Sequence, residues 1–295
     1  MEARTAGLLE CVVNVSEGRD VAALSRLRDS CGNFLLDMHS DADHNRSVFT
    51  LGGPRDDVFS AVCALATDVV GCLDFSGHSG VHPRIGTLDV VPWVSLRRAR
   101  DGLLADGTVP ESVSARGLFA AWAGSELRLP CFLYGLGGMP ALPEVRRRAW
   151  VDLAPATGPS EPHPRAGACA VGARPVLVAY NVWLAGEDLA AARVIARELR
   201  GSFDGRVRTL ALPVGKRVQV SCNLIDPWAV GPGAVFDFVS SRSEVERCEL
   251  VGLVPRGVLH AEPPRRWAEL GIDPSVTIEA RLEQAGLDGG SLDHR

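Results

Sequence analysis

The chain has 295 residues, 46% hydrophobic and 23% charged, proportions that suit a folded protein of two moderate domains. Lys and Arg total 31 against 36 Asp and Glu, a net charge of −5, and the longest basic run is Arg146-Arg147-Arg148, which argues against a nucleic-acid partner. The eight cysteines form no C-x-x-C pair and mostly lie in apolar runs such as Ala61-Val62-Cys63-Ala64-Leu65, so they read as reduced, buried thiols and not as a disulfide framework or a zinc site.

The opening Met1-Glu2-Ala3-Arg4-Thr5 lacks a long apolar segment, and no window reaches the roughly 18 apolar residues of a membrane span. A cytoplasmic chain with no membrane partner follows as the expectation. Leu8 to Val15, apolar and rich in β-branched residues, predicts an inner strand. Asp20 opens a helix with Val21, Leu24 and Leu27 on one side, ended by Gly32. Strands are predicted at 33–38 and 47–51, around the polar segment His39-Ser40-Asp41-Ala42-Asp43-His44-Asn45-Arg46. Pro54 suits the first position of a helix whose buried face is Val58, Val62, Leu65 and Val69.

A dense polar stretch follows: Gly77-His78-Ser79-Gly80-Val81-His82-Pro83-Arg84-Ile85-Gly86-Thr87-Leu88-Asp89, leading into an apolar strand at 85–94 that is interrupted or ended near Pro92. Pro83 biases His82 away from the helical region, stiffening the backbone that carries its imidazole. Further on, 110–127 reads as a helix, 131–134 as a strand and 154–168 as a long loop. Strand 175–183, helix 188–199 stopped by Gly201, strands 207–212 and 217–225, helix 232–248 and strand 249–254 complete the chain.

The second half therefore runs βαββαβ, and the first, from Leu8 to Val94, can be read in the same order. Val13-Asn14-Val15-Ser16-Glu17-Gly18-Arg19-Asp20 even rhymes with Tyr180-Asn181-Val182-Trp183-Leu184-Ala185-Gly186-Glu187-Asp188. The fold class is α/β of the α+β type: two ferredoxin-like βαββαβ-based subdomains, residues 1–172 and 173–295, with a ligand groove between them. A dinucleotide fold fits less well, because the first strand is followed by no G-x-G-x-x-G.

Among the groups able to do chemistry, His82 stands out as a general acid–base, with an ordinary pKa near 6.5, and Arg84 as a fork for a carboxylate. His39, Asp41, Asp43, His44, His78 and His82 invite a metal reading, but no H-E-x-x-H is present and no metal is expected. Ser16 and Ser79 lack a G-x-S-x-G elbow, and the cysteines sit in apolar surroundings.

Several ordered motifs resemble the glutamate formimidoyltransferase family. They are Cys11-Val12-Val13-Asn14-Val15-Ser16-Glu17-Gly18, Leu35-Leu36-Asp37, Asn45-Arg46-Ser47-Val48-Phe49-Thr50, His82-Pro83-Arg84-Ile85-Gly86-Thr87-Leu88-Asp89 and Phe132-Leu133-Tyr134-Gly135. Gly172-Ala173-Arg174, Ala179-Tyr180-Asn181-Val182, Val220-Ser221-Cys222-Asn223-Leu224 and Leu250-Val251-Gly252-Leu253-Val254-Pro255 continue the match. The resemblance implies a dimeric cytosolic transferase, without the cyclodeaminase domain fused to some relatives. Such an enzyme moves a formimidoyl or formyl group between N5 of tetrahydrofolate and an amine or amino acid such as glutamate. His82 falls on the family's catalytic histidine, and Arg84, Asn14 and Asn45 on residues expected to line the folate groove. Asn14, Asn45 and Asn223 offer paired donors and acceptors to a pterin, and Arg46, Arg84 or the Arg146-Arg147-Arg148 run suits a glutamate tail.

The sequence also departs from the family. His39 stands in a segment where glutamate-specific members carry an aspartate, and Val81 where they carry a glutamate, which bears on folate and acceptor contacts. The alternative is a catalytically altered paralogue that binds a folate or another small molecule, or hydrolyses its substrate.

Overall fold

The computed structural model describes residues 7–80, 83–99 and 102–287. The chain divides into two compact units. The first takes the residues up to Arg97, Asp106–Arg174 and those from Leu282 onward; the second takes Arg98–Ala105 and Pro175–Arg281.

The first unit begins β1 (Leu8–Val15), α1 (Val21–Ser30), β2 (Leu35–Asp41), β3 (Arg46–Pro54), α2 (Arg55–Cys72) and β4 (Leu88–Arg98). After the short β5 (Leu104–Asp106) come α3 (Val109–Glu126), β6 (Cys131–Gly135), α4 (Leu142–Arg148) and β7 (Cys169–Ala173). Across the sheet the order is β2-β3-β1-β4-β7-β6, with β5 off this path. β1 is antiparallel to β3 and β4, whereas β7 runs parallel to both β4 and β6. The first four strands are thus the ferredoxin-like order read from the sequence, and β7 and β6 widen it.

Alternation along β1 decides which face is covered. Cys11, Val13 and Val15 are fully buried in one cluster with Leu24 and Leu27 of α1 and Val58, Val62, Leu65 and Val69 of α2. Burying each Val or Leu contributes about 1.5–3 kcal/mol, which fixes the register because a one-residue slip exposes the whole set. Trp93 continues this core, its ring centroid 5.7 Å from Phe59 and 6.0 Å from Phe119. Pro92 does not end its strand. The β1–β4 register holds from Leu8↔Leu96 to Cys11↔Trp93 and resumes at Asn14↔Val90, so the missing N–H falls in the gap. Pro54 differs from expectation as well: it closes β3 and precedes the first helical residue.

On the opposite face, α4 supplies part of the cover. Val145 of α4 packs with Val90, Phe132, Tyr134 and Ala170. A Cβ on Gly172 would sit 2.1 Å from the Tyr134 ring, so a glycine is required for that ring to lie flat on the sheet.

The second unit holds β8 (Val178–Leu184), α5 (Leu189–Ser202), β9 (Val207–Val214), β10 (Arg217–Leu224), α6 (Pro232–Ser240) and β11 (Val245–Val251). Its strand order, β11-β8-β10-β9, is again ferredoxin-like, all antiparallel. Tyr180, Val182, Val220 and Cys222 face Ile195, Leu199, Val235 and Val239 of the two helices. The rhyme between the halves has a structural counterpart in the N-caps. Asp20 accepts from the amides of Ala22 and Ala23, each at 3.0 Å, and Asp188 from those of Ala190 and Ala191 at 2.8 and 2.9 Å.

Two boundaries need correction. The helix expected over 232–248 stops at Ser240, where the Ser240 and Ser241 hydroxyls bond back to the carbonyls of Asp237 and Phe238, and Val245–Cys248 already belongs to β11. Gly201 does not stop α5, which runs to Ser202; the turn comes at Asp204 and Gly205, both with positive φ.

Candidate active site

The antiparallel order of the first unit brings three connections to one sheet end. β1 and β2 finish there, β3 and β4 start there, so the loops 16–20 and 42–45 meet residues 73–80 and 83–87. Ser16 anchors the meeting: its amide donates to Thr87 O at 2.8 Å and its hydroxyl to Gly86 O at 2.7 Å.

Asn45 clips all three loops together. It sits in the left-handed region with φ 47°, which asparagine tolerates better than most residues. Its Oδ1 accepts from the Gly18 amide at 3.0 Å, its Nδ2 donates to Ser79 O at 3.2 Å, and its carbonyl accepts from His78 at 3.1 Å. The loops approach so closely that a Cβ on Gly18 would lie 2.2 Å from Asp41 O, and one on Gly80 2.5 Å from His44 O.

Guanidinium groups dominate the electrostatics. Arg46 donates to Asn14 Oδ1, and Asn14 Nδ2 in turn donates to Val12 O at 2.8 Å. Burial pushes Arg46 down to about 10; Arg146 and Arg84 push the same way, and Asp89 opposes them. Arg84 donates to the His44 carbonyl, and its Nη1 lies 3.0 Å from Nδ1 and 2.8 Å from Nε2 of His78. A carbonyl only accepts, so the bond to Asn45 O takes its hydrogen from Nε2, while Arg84 Nη1 lies against the ring, near both nitrogens. Burial first, and Arg84 second, hold His78 below the ordinary imidazole value. Asp89, buried, accepts from the Ile85 amide at 3.0 Å and pairs with Arg146 at 2.5 Å.

The sequence-assigned residues distribute as follows. Asn14, Asn45, Arg46 and Arg84 gather at this end of the first unit. His39, half-buried, pairs with Val48 in the β2–β3 register, which puts it on the sheet face of Asn14 and Arg46. Asn223 belongs to the second unit, exposed on β10. His82 and Val81 lie outside the described residues. Of the basic run, Arg146 joins the site, whereas Arg148 pairs with Glu144 and Asp152. Sequence reasoning did not single out His78 as the partner of Arg84, nor Asp89 as the anchor of Arg146. The signal for the first was present, an imidazole six residues before an arginine across two glycines or prolines; the second spans two elements and leaves none.

Among the described residues no group of three or more His, Cys, Asp and Glu is arranged to hold a metal ion, and no helix is long and apolar enough to cross a membrane. Asp41, one of the carboxylates of that metal reading, accepts from the His44 amide at 2.7 Å.

Comparison with known proteins gives a consistent picture. Residues 8–174 match the family described as formiminotransferase domain, N-terminal subdomain. A glutamate formimidoyltransferase of Streptococcus pyogenes serotype M1 is 32% identical over 282 residues, covering 86% of this chain and 91% of that protein. A glutamate formimidoyltransferase of Thermoplasma acidophilum is 30% identical over 309 residues, covering 94% of this chain and 98% of its own length. The formimidoyltransferase-cyclodeaminase of Sus scrofa is 33% identical over 282 residues, and the match takes in 50% of that longer protein.

Proposed function

Because the chain belongs to the formiminotransferase family, we propose that it moves a formimidoyl group between N5 of tetrahydrofolate and the amino group of glutamate. The observation that carries the reading is similarity along nearly the whole length of two proteins named glutamate formimidoyltransferase. The residues present suit a folate. Asn14, His39 and Thr50 share a sheet face, and the buried Thr50 hydroxyl has no hydrogen-bond partner among the described residues, which leaves it for a flat, polar ring. Tetrahydrofolate supplies a nitrogen, N5, able to carry the one-carbon unit.

The protein's task is proton management. Glutamate's amine is mostly protonated at neutral pH and an ammonium has no lone pair, so a base must take its proton as the new C–N bond forms. His82, the family's histidine by position, takes that role, then returns the proton to N5 as the old C–N bond breaks. A positioned acid–base of this kind is worth about 10²–10⁴ in rate.

The test is a mass-resolved assay of the purified chain with 5-formimidoyl- and 5-formyltetrahydrofolate against a panel of amines, with His82→Ala alongside. Formimidoyl transfer to glutamate is expected, with kcat reduced about 10²–10⁴-fold in the variant and folate affinity within a few-fold. A wild-type protein that transfers to no amine removes the assignment. Product formed without any amine indicates water as acceptor. The homodimer implied by the resemblance is checked in the same preparation by a mass measurement in solution.

A further inference from the structure

Arg46, Arg84 and Arg146 are linked into one cluster by contacts already described. Arg84 donates to the carbonyl of His44, two residues before Arg46. Asp89, the partner of Arg146, also holds the amide of Ile85, the residue after Arg84. Their charges act on one another: Arg84 and Arg146 disfavour the charged form of Arg46, and Arg146 that of Arg84, while Asp89 favours both. Asp89 is the carboxylate that the contacts described above bring to these guanidiniums.

The Nε of each arginine is buried and has no hydrogen-bond partner among the described residues. A buried donor left unpaired costs about 1–3 kcal/mol; Arg116 and Arg281 each carry such an Nε singly, whereas these three belong to one cluster. Arg148 shows the contrast, since its guanidinium is shared between two carboxylates at the surface. Clustered guanidiniums suit an anionic ligand that takes several charge-assisted bonds, and the glutamyl group, with two carboxylates, is such a ligand.

Both substrates of the proposed reaction carry a glutamyl group, as the free amino acid and as the tail of the folate. Chain geometry separates them. Arg84 follows His82 by two residues, which limits their Cα separation to about 7 Å. In glutamate the reacting nitrogen sits on the carbon that bears one carboxylate, a few bonds from the other. In the folate, an aminobenzoate stands between N5 and the tail. Resting on the function proposed above, we infer that Arg46, Arg84 and Arg146 form the subsite for the two carboxylates of the glutamate acceptor.

Steady-state kinetics of the full chain with Arg84→Lys and Arg146→Lys test this, with thermal melting of each variant as the check on folding. Lysine keeps the charge and loses the fork. Each variant is expected to raise KM for glutamate about 10–100-fold, the size of one or two lost charge-assisted bonds, with KM for the folate within about 2-fold. The penalty shrinks with glutamine as acceptor, which lacks one carboxylate, and persists with a donor built on tetrahydropteroate, which lacks the tail. A penalty that disappears with the tail-less donor assigns the arginines to the folate and overturns the inference, as does an unchanged KM for glutamate. If Arg146→Lys melts below the assay temperature, Arg146→Gln with Asp89→Asn removes the pair together and takes its place. Should the wild type transfer nothing, calorimetric titration with L-glutamate decides. Binding that the arginine variants weaken upholds the subsite while the proposed reaction falls, and absence of binding overturns the subsite too.

Discussion

Arg84 Nη1 lies within 3.0 Å of both ring nitrogens of His78, a contact that a second positive charge on the imidazole disfavours. Burial first, and the neighbouring Arg84 charge second, disfavour a second proton, which is why the pKa of His78 lies below its ordinary value. The sign follows from linkage. Between the depressed folded value and about 6.5 the unfolded chain binds the proton and the native chain does not, so stability rises with pH in that window. The contribution is whole above about pH 6.5 and is lost as pH falls through the folded value. Urea midpoints from pH 7.5 to 5 are expected to decline, and His78→Gln, which can still bond both neighbours, should flatten that decline. An equal slope in the variant removes His78 as its source.

Asn45 joins a strained backbone to three bonds, and two substitutions separate these contributions. Asn45→Gly keeps the left-handed conformation and loses the side-chain bonds to Gly18 and Ser79. Asn45→Ala loses the same bonds and adds a backbone penalty of roughly 1 kcal/mol. Both are expected to be destabilised, at about 1 kcal/mol per lost bond, with alanine the worse. Equal midpoints in urea denaturation for the two variants contradict the conformational part.

All eight cysteines are free. Burial pushes Cys31, Cys63 and Cys131 up to about 12 and Cys248 to about 11, and raises Cys11 and Cys169 as well. Cys72 alone is exposed, at the last residue of α2. Thiolate, not thiol, reacts with disulfide reagents. Titration of the native protein should therefore show one fast thiol, abolished by Cys72→Ser, and eight after denaturation. Several fast thiols in the native state are incompatible with this core.

Much of the fold was legible because its signals are local. The apolar run of β1, the Asp20 and Asp188 caps and the four-residue spacing in α2 each carry their own period or cap. From them the two βαββαβ orders followed. What failed was also local, but of another kind: at Ser240 a short side chain bonding back to the helix outweighed the apolar pattern on which the expected helix 232–248 rested. The site was legible in its parts. Asn14, Asn45, Arg46 and Arg84 were singled out, yet their convergence depends on which strand ends meet, and pairing over |i−j| of dozens of residues has no sequence period. Arg146 reaches Asp89 from a helix fifty-seven positions later. Nothing short of the sheet order predicts that, and the run Arg146-Arg147-Arg148 gave no hint that only its first member turns inward.

The parallel pairing of β4 with β7 sets a timetable for the growing chain. Residues Val90–Trp93 have their β1 partners available from the start, but their other edge waits for Ala170–Ala173. About 80 residues must be synthesised in between, which takes roughly 4–16 s at translation speed. For that interval the nascent chain carries an unpaired apolar strand edge, the kind of template on which neighbouring chains on a polysome aggregate. Early release of the first hundred residues, or slow codons between Arg98 and Cys169, would lengthen this exposure, and holdase chaperones are expected to engage the chain there.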